Sequence, residues 1–221
     1  MQAIRPTIVL ASQSPRRIEL LQSSFNCKVM PHPSTFAENF PHSDFASPIE
    51  YVLATAREKA LDVYSKLKQQ QQQCKSAATT AAITTEYDFI LSGDTCIFLG
   101  DKILEKPLDA NHHMEMLTAL AEADHHTVCT ACCVVYPPNS AFNSTDSDVV
   151  DTIHDQTKVR FSLTRERIAR YVQSGDGRDK AGGYGIQSGM LPCTLEGDYF
   201  TVVGLPLFCL STYFQRKGIN I

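Results

Sequence analysis

Two adjacent arginines follow a serine-containing turn near the start of the chain. In the segment TIVLASQSPRRIELL, an apolar run ends at a polar turn with Ser12 and Ser14, and Pro15, Arg16 and Arg17 follow. Ser14 is a good N-cap and proline is tolerated at the first helical position, so the pattern predicts a strand, a turn and a helix. Each cation in the first helical turn opposes the helix dipole and costs about 0.3–1 kcal/mol.

An anion bound at this helix N-terminus would reverse that cost. Backbone N–H groups, the hydroxyls of Ser12 and Ser14, and the two guanidinium groups would then converge on one charge. The alternative is that both arginines face solvent and pair with acids such as Glu19. The segment lacks Walker-type glycines and the G-x-G-x-x-G fingerprint, which argues against those two phosphate-binding folds. The pattern therefore favours a phosphate site of another kind.

A lysine lies on the apolar face of the next predicted helix. Ser47, Pro48 and Glu50 form a capping-box signature, so a helix is expected from Pro48 to about Lys68. Residues spaced by four, three and four positions share one face of it, namely Val52, Ala56, Lys59 and Val63. Such a lysine either extends its ammonium group to the edge of the apolar face or meets a buried anion. Both possibilities stay open from the sequence.

A single carboxylate, Asp94, lies between two apolar runs. The pattern predicts strands at 88–91 and 96–99 with a turn at Ser92–Thr95 between them. A carboxylate between apolar strands is costly unless it faces a cleft, a cation or water. The alternative is that Asp94 only caps a turn beside Gly93. A following hairpin turn at 100–102 is expected to return Lys106 towards Asp94.

A glycine-rich segment, GDGRDKAGGYGIQ, covers Gly175–Gln187. Its glycines around Asp179 and Lys180 would let the backbone approach a ligand closely. We expect Tyr184 to Gln187 to begin a strand, with the Gln187 amide able to offer both a donor and an acceptor to a base edge. An ordinary turn without a binding role is the competing interpretation.

The remaining elements are predicted from apolar periodicity and capping residues. The predicted strands are Phe25–Met30, His126–Tyr136 and Val149–Ser162, and the predicted helices follow Asp109, Thr164 and Pro206. Met114, Leu117 and Leu120 are expected to face inward. A glutamine-rich, low-complexity insertion at about 69–86 is expected to be flexible, and a second loop insertion lies at about 137–147. We expect one domain over residues 1–221.

Composition limits the possible functions. The chain has 221 residues and a formal net charge of −4, which argues against a general nucleic-acid binder. Eight cysteines without a signal-peptide pattern are typical of reduced thiols in a cytoplasmic protein. No apolar run approaches the roughly 20 residues that a membrane helix needs, so no membrane partner is expected.

A histidine and cysteine cluster invites a zinc interpretation. His125 and His126 precede Cys129, Cys132 and Cys133. The alternation here is that of a strand, and the sequence contains no second paired-cysteine motif. Zinc is therefore not expected.

Six segments, in this order, resemble the motifs of the Maf nucleoside triphosphate pyrophosphatases. They are ASQSPRRIELL, REKA at Arg57–Ala60, GDT at Gly93–Thr95, ILEKPLD at Ile103–Asp109, DKAGGYGIQ at Asp179–Gln187 and VVGLPL at Val202–Leu207. The YGIQ ending resembles the branch that acts on dTTP and UTP. The chain departs from the family at Gly93, where alanine is usual, and at Ala37, where an acid is common.

The resemblance implies an α/β fold with an elongated, curved mixed sheet flanked by helices. Two lobes would enclose a cleft, as in the inosine triphosphatase group. The implied activity is hydrolysis of a small-molecule nucleotide to the monophosphate and pyrophosphate. The implied substrates are dTTP and UTP, with CTP and modified pyrimidine nucleotides as further candidates. A divalent metal, Mg²⁺ or Mn²⁺, and a homodimer are also implied.

The matching motifs imply a role for individual residues. Asp94 would be the general base, with Lys59 and Lys106 as the other catalytic residues, and Asp94 and Glu38 would bind the metal. The implied substrate-binding residues are Ser12, Ser14, Arg16, Arg17, Thr95, Lys180 and Gln187. Arg16, Thr95 and Gln187 among them would set base preference. Carboxylate oxygens suit Mg²⁺ or Mn²⁺ better than zinc.

Two other functions are compatible with the same motifs. One is a purine-directed activity on 7-methyl-GTP or inosine triphosphate. The other is a nucleotide-binding regulator of cell division that recruits a partner through the glutamine-rich insertion.

Overall fold

The computed structural model of the chain describes residues 5–77 and 87–221. Within them the chain forms a mixed α/β fold, with one seven-stranded sheet flanked by helices. The strands are β1 (Thr7–Ala11), β2 (Lys28–Pro31), β3 (Phe89–Leu99), β4 (Lys102–Leu104), β5 (His126–Tyr136), β6 (Val149–Phe161) and β7 (Cys193–Glu196). The helices are α1 (Pro15–Ser24), α2 (Pro48–Ala77), α3 (Ala110–Glu122), α4 (Arg165–Ser174), α5 (Tyr199–Val203) and α6 (Leu207–Arg216).

The strand order in the sheet is β2-β1-β3-β5-β6-β7, and β4 pairs with β3 off this path. β1 runs parallel to β2 and β3, whereas the other pairs are antiparallel. The mixed sheet flanked by helices confirms the predicted fold class. β3 pairs with β1 on one side and β5 on the other, so it is a central strand with both edges hydrogen-bonded.

Helices cover both faces of the sheet, because successive apolar side chains along its strands point to opposite faces. On one face, α2 packs Val52, Ala56 and Val63 against residues that include Val9 and Ile90. On the other face, α1 and α6 pack against the opposite side chains of the same strands. That second cluster includes Leu21, Leu210 and Phe214 with Ile8, Leu10, Phe89 and Leu91.

A third apolar cluster lies at the other end of the long strands. α3 and α4 pack there through Leu117, Leu120 and Ile168 against Ile97 and Val159. The cluster confirms Leu117 and Leu120 as inward residues of α3. His113 and Met116 complete the buried face, whereas Met114 is only half-buried.

The predicted turn at Ser92–Thr95 is wrong, because β3 is continuous from Phe89 to Leu99. Ser92, Gly93 and Asp94 suit a turn when they are considered alone. β5 offers a pairing partner to every residue from Ile90 to Phe98, and this long-range ladder overrides the local preference. Asp94 therefore lies within a central strand, opposite Ala131.

Two other predicted boundaries need correction. α2 continues through the glutamine run to Ala77, because glutamine is a good helix former that extends an existing helix at little cost. Residues 78–86 of the expected insertion lie outside the described residues. β2 begins at Lys28 and not at Phe25.

The expected strand at Tyr184–Gln187 is also wrong, since Ile186–Ser188 forms a 3-10 turn. Gly189, which directly follows this turn, has a positive φ angle of 65°, a conformation through which a strand does not continue. Ser188 Oγ donates to Gly185 O at 3.1 Å and holds the turn closed.

Two further observations concern membranes and thiols. In the part of the chain that is described, none of the helices is both long and apolar enough to cross a membrane. Among the cysteines whose side chains the structure describes, seven are free thiols, and five of these are buried.

A buried histidine makes the stability of the fold depend on pH. His126 Nε2 lies 2.7 Å from Tyr184 Oη, and its ring contacts Phe161. Burial lowers the pKa of His126 from 6.5 to about 4. The unfolded chain therefore binds a proton near pH 6.5 while the folded chain does not, so stability is full above that pH and falls as the pH approaches 4.

We expect the unfolding free energy to fall by about 2 kcal/mol through this group between about pH 7 and about pH 5. Urea denaturation at both pH values measures the loss. The variant His126→Phe lacks the titrating ring and should show a flatter pH dependence. An equal loss in the wild-type protein and in the variant would contradict the assignment.

Candidate active site

A cleft of about 440 Å³ opens beside β3, where it meets α1, α2 and the glycine-rich segment. A second cavity of about 340 Å³ shares several of its lining residues, among them Arg17, Glu38, Lys59 and Lys106. The residues predicted for the site all line one or both cavities: Ser12, Ser14, Arg16, Arg17, Glu38, Lys59, Asp94, Thr95, Lys106, Lys180 and Gln187. The structure thus brings the predicted site residues together, while their individual roles stay predictions.

Lys59 contacts two carboxylates, the buried Asp94 and the exposed Glu38. Its Nζ lies 2.7 Å from Asp94 Oδ1 and 2.7 Å from Glu38 Oε2. Lys59 and Asp94 are each only 8% exposed. Ser92 Oγ donates to Ala56 O and ties α2 to β3 at this level. The helix face and the strand register therefore set the Lys59–Asp94 contact.

Asp94 does not act as a turn cap, because the residues around it form a strand. Its carboxylate faces the cleft and accepts from Lys59. Of the alternatives left open by the sequence, the structure selects a carboxylate that faces both a cation and a cleft. This arrangement satisfies the buried charge that would otherwise be costly.

The two adjacent arginines separate in space. Arg17 turns into the fold, where Nε donates to Gly204 O at 2.7 Å, Nη2 to Thr95 Oγ1 at 2.9 Å and Nη1 to Ser12 Oγ at 3.3 Å. Burial lowers the pKa of Arg17 from its usual value, while the charge of Asp94 partly opposes that effect. Arg16 is half-buried and lines the larger cavity.

Three cations of the cleft are not paired with carboxylates. Within residues 5–77 and 87–221, Arg16, Arg17 and Lys106 make no ion pair, although each lines the cleft. Lys180 differs, since its Nζ lies 2.7 Å from Asp179 and 3.1 Å from Asp176. The uncompensated positive charge of the cleft therefore lies on the first three residues.

The serines of the first turn shape the end of the cleft next to α1. Ser14 Oγ accepts from the backbone N–H of Arg17 and caps the helix as predicted. Ser12 Oγ accepts from the backbone N–H of Ser14 at 3.2 Å. As acceptors in these bonds, both hydroxyls keep their own proton for donation to an oxygen in the cleft.

Part of the cleft lining consists of uncharged residues. Thr95, Gln187 and the segment 202–204 belong to this part, together with Tyr184 and Gly185. A Cβ on Gly185 would lie only 3.0 Å from Lys180 Cε and 3.3 Å from Gln187 Oε1, so glycine here lets both side chains approach the backbone. This part of the lining offers hydroxyl, amide and backbone groups to a ligand.

Sequence reasoning missed two residues that line the cleft. Tyr51 lies two turns before Lys59 on the same face of α2, a spacing that could have identified it. Burial, helped by the charges of Glu105, Asp94 and Glu38, raises the pKa of Tyr51 to about 12. Glu105, next to Lys106, lies 3.0 Å from His42 across the rim.

The donor set at the centre of the cleft fits a magnesium-type ion that is held partly by its substrate. Asp94 and Glu38 both reach Lys59 Nζ, so their hard oxygen atoms converge on one region. Mg²⁺ commonly takes one or two protein carboxylates and completes its shell with phosphate oxygens and water. Among the described residues, no group of three or more His, Cys, Asp or Glu side chains is placed to hold a metal.

The family model for Maf-like proteins matches residues 7–217. The chain belongs to the Maf family. It is 37% identical over 205 residues to a dTTP/UTP pyrophosphatase of Schizosaccharomyces pombe, with 90% of this chain and 79% of that protein covered. It is 34% identical over 220 residues to a dTTP/UTP pyrophosphatase of Clostridium perfringens, with 97% and 98% covered.

The match to a human protein covers only part of that protein, and the match to a crystal structure is weak. A human protein named as a probable bifunctional dTTP/UTP pyrophosphatase/methyltransferase is 38% identical over 207 residues. These cover 91% of this Maf chain but only 31% of the human protein's length. A crystal structure of a dITP/XTP pyrophosphatase from Mycobacterium abscessus aligns with a TM-score of 0.37 and 14% identity, covering 71% of this chain and 74% of that one. The family assignment does not depend on it.

The different environments of Arg16 and Arg17 predict different costs of removing them. Arg17→Met should lower the unfolding free energy by about 2–3 kcal/mol, because Gly204 O and the Thr95 hydroxyl lose their charged donor. Arg16→Met should change it by less than about 0.5 kcal/mol. Urea denaturation of the two variants measures both values, and equal losses would contradict the separation of the two side chains.

Proposed function

We propose that this Maf chain hydrolyses dTTP and UTP to the nucleoside monophosphate and pyrophosphate. One observation carries the proposal: three unpaired cations and a lysine-held carboxylate line one cleft. Phosphoryl transfer asks a protein mainly for positioning and for neutralisation of charge. The cleft supplies both within a single cavity.

The triphosphate tail would lie at the α1 end of the cleft. Arg16, Arg17 and Lys106 can donate to its oxygens and neutralise its charge, and Ser12 and Ser14 can add hydroxyl donors. The base would lie near Thr95 and Gln187, whose side chains are uncharged.

Asp94 would activate the attacking water. The carboxylate would take a proton from the water while the oxygen of the water bonds to the α-phosphorus. The bond between that phosphorus and the bridging oxygen of the departing pyrophosphate breaks. Lys59 fixes the carboxylate through its contact with Oδ1. Lys106 and the arginines would neutralise the negative charge that develops on the departing pyrophosphate.

Asp94 and Glu38 are the residues that would hold the divalent metal, Mg²⁺ or Mn²⁺. When bound, such an ion neutralises phosphate charge and polarises phosphate oxygens. Lys59 also contacts both carboxylates, so it would limit the repulsion between them.

The choice of dTTP and UTP rests on the relatives and on the base end of the cleft. The relatives named dTTP/UTP pyrophosphatase match up to 97% of this chain. Gln187, which ends the YGIQ segment, lines the cleft and offers both a donor and an acceptor. The pyrimidine substrates therefore fit the relatives and the site together.

Replacing Asp94 tests its role as the base. Asp94→Asn should lower kcat by about 10²–10⁴-fold, because the amide cannot accept the proton, while UTP binding is kept. The matched control is Asp101→Asn, a change in the exposed turn between β3 and β4. Pyrophosphate release at saturating UTP measures the rate. Turnover of Asp94→Asn at the wild-type rate would overturn the assigned role.

A substrate panel distinguishes the proposed function from the purine alternatives. Pyrophosphate release is measured from dTTP, UTP, CTP, 7-methyl-GTP and inosine triphosphate under one set of conditions. The proposal expects dTTP and UTP to give the highest kcat/KM. A higher kcat/KM for either purine nucleotide would contradict the proposal and favour a purine-directed activity. The homodimer and the cytoplasmic location stay predictions.

A further inference from the structure

A buried chain of hydroxyl groups runs away from the base end of the cleft. Thr95 on β3 faces its register partner Thr130 on β5, and their Oγ1 atoms lie 2.9 Å apart. Thr130 Oγ1 lies 2.7 Å from the backbone carbonyl of Thr201 in α5. Thr201 Oγ1 in turn donates to Asp155 on β6. Both Thr130 and Thr201 are fully buried, so neither reaches a ligand in the cleft.

The direction of these hydrogen bonds follows from counting protons. A carbonyl oxygen only accepts, so Thr130 donates its single hydroxyl proton to Thr201 O. The proton between the two threonine hydroxyls must then come from Thr95. Arg17 has no acceptor, so Thr95 Oγ1 accepts from Arg17 Nη2 at 2.9 Å.

The hydroxyl of Thr95 is therefore committed on two sides. Its proton points at Thr130, and one lone pair faces the guanidinium group of Arg17. Thr95 is only half-buried and lines the cleft. It can offer a ligand nothing but its second lone pair, which means that it presents an acceptor and no donor.

We propose that Thr130 is a positioning residue for base selection, which fixes the Thr95 hydroxyl as an acceptor for the N3–H group of uracil and thymine. Cytosine has no hydrogen on N3 and would place its N3 lone pair against the lone pair of the Thr95 hydroxyl. The inference rests on the proposed function and identifies the group of the base that the site recognises. A site with a fixed hydrogen-bonding polarity rejects a ligand that leaves a group unpaired.

Three variants separate positioning from a merely structural role. Thr130→Val removes the acceptor of the Thr95 proton, so the Thr95 hydroxyl can turn and donate to cytosine. Thr130→Ser keeps the hydroxyl. Thr201→Val is the matched control, since it removes a buried hydroxyl of the same chain but keeps the carbonyl that Thr130 contacts.

The measured quantity is the ratio of kcat/KM for UTP to kcat/KM for CTP, with CTP also tested as a competitive inhibitor of UTP hydrolysis. The ratio should fall by about tenfold in Thr130→Val, the size of one hydrogen bond. It should stay at the wild-type value in Thr130→Ser and Thr201→Val. An unchanged ratio in Thr130→Val, or an equal fall in Thr201→Val, would overturn the inference.

A measurement on the wild-type protein keeps the inference testable if Thr130→Val does not fold. The triphosphate of 3-methyluridine lacks the N3 hydrogen, and its kcat/KM should be lower than that of UTP by at least about tenfold. Equal values for the two would refute the inference while leaving the proposed function intact. Failure of the wild-type protein to release pyrophosphate from UTP and dTTP would refute the proposed function itself.

Discussion

The contact of one ammonium group with two carboxylates organises the cleft. Lys59 lies between Asp94 and Glu38 and is almost fully buried with Asp94. Without the lysine, two nearby carboxylates would repel each other and Asp94 would be a costly unpaired charge. The contact exists because Val52, Ala56 and their neighbours on α2 hold the helix against β3. The packing of the core thus fixes the geometry of the chemistry.

Long-range pairing explains why the sequence predicted the composition of the site better than its local structure. The residue types of Arg16 and Lys59 indicated an anion site, because a cation in the first turn of a helix or on an apolar helix face is unfavourable unless an anion is near. The turn expected at Asp94 was wrong, because a local pattern does not show that β5 lies alongside. Gln187 reached the cleft from a 3-10 turn and not from a strand. In both cases the sequence identified the residue but did not predict its backbone conformation.

The two adjacent arginines show another limit of local patterns. Consecutive residues on an α-helix point about 100° apart, so Arg16 and Arg17 contact different neighbours although both line the cleft. Which one would enter the fold depended on Gly204 and Thr95, which are distant in the sequence. Tyr51 was detectable from its spacing to Lys59, whereas Thr130 was not, because only the strand register places it beside Thr95.

In the proposed function, the charged groups of the cleft would bind the polyphosphate and the neutral hydrogen-bonding groups would select the base. Positive charge attracts any polyphosphate, so Lys106 would not distinguish one base from another. Discrimination between bases needs groups whose donor or acceptor character is fixed, because a freely rotating hydroxyl serves either partner. Arg17 links the two functions, since one guanidinium group supplies charge to the cleft and holds the hydroxyl of Thr95. If the proposal holds, base selection depends on the buried Thr130 behind the cleft wall as well as on the residues that line the cleft.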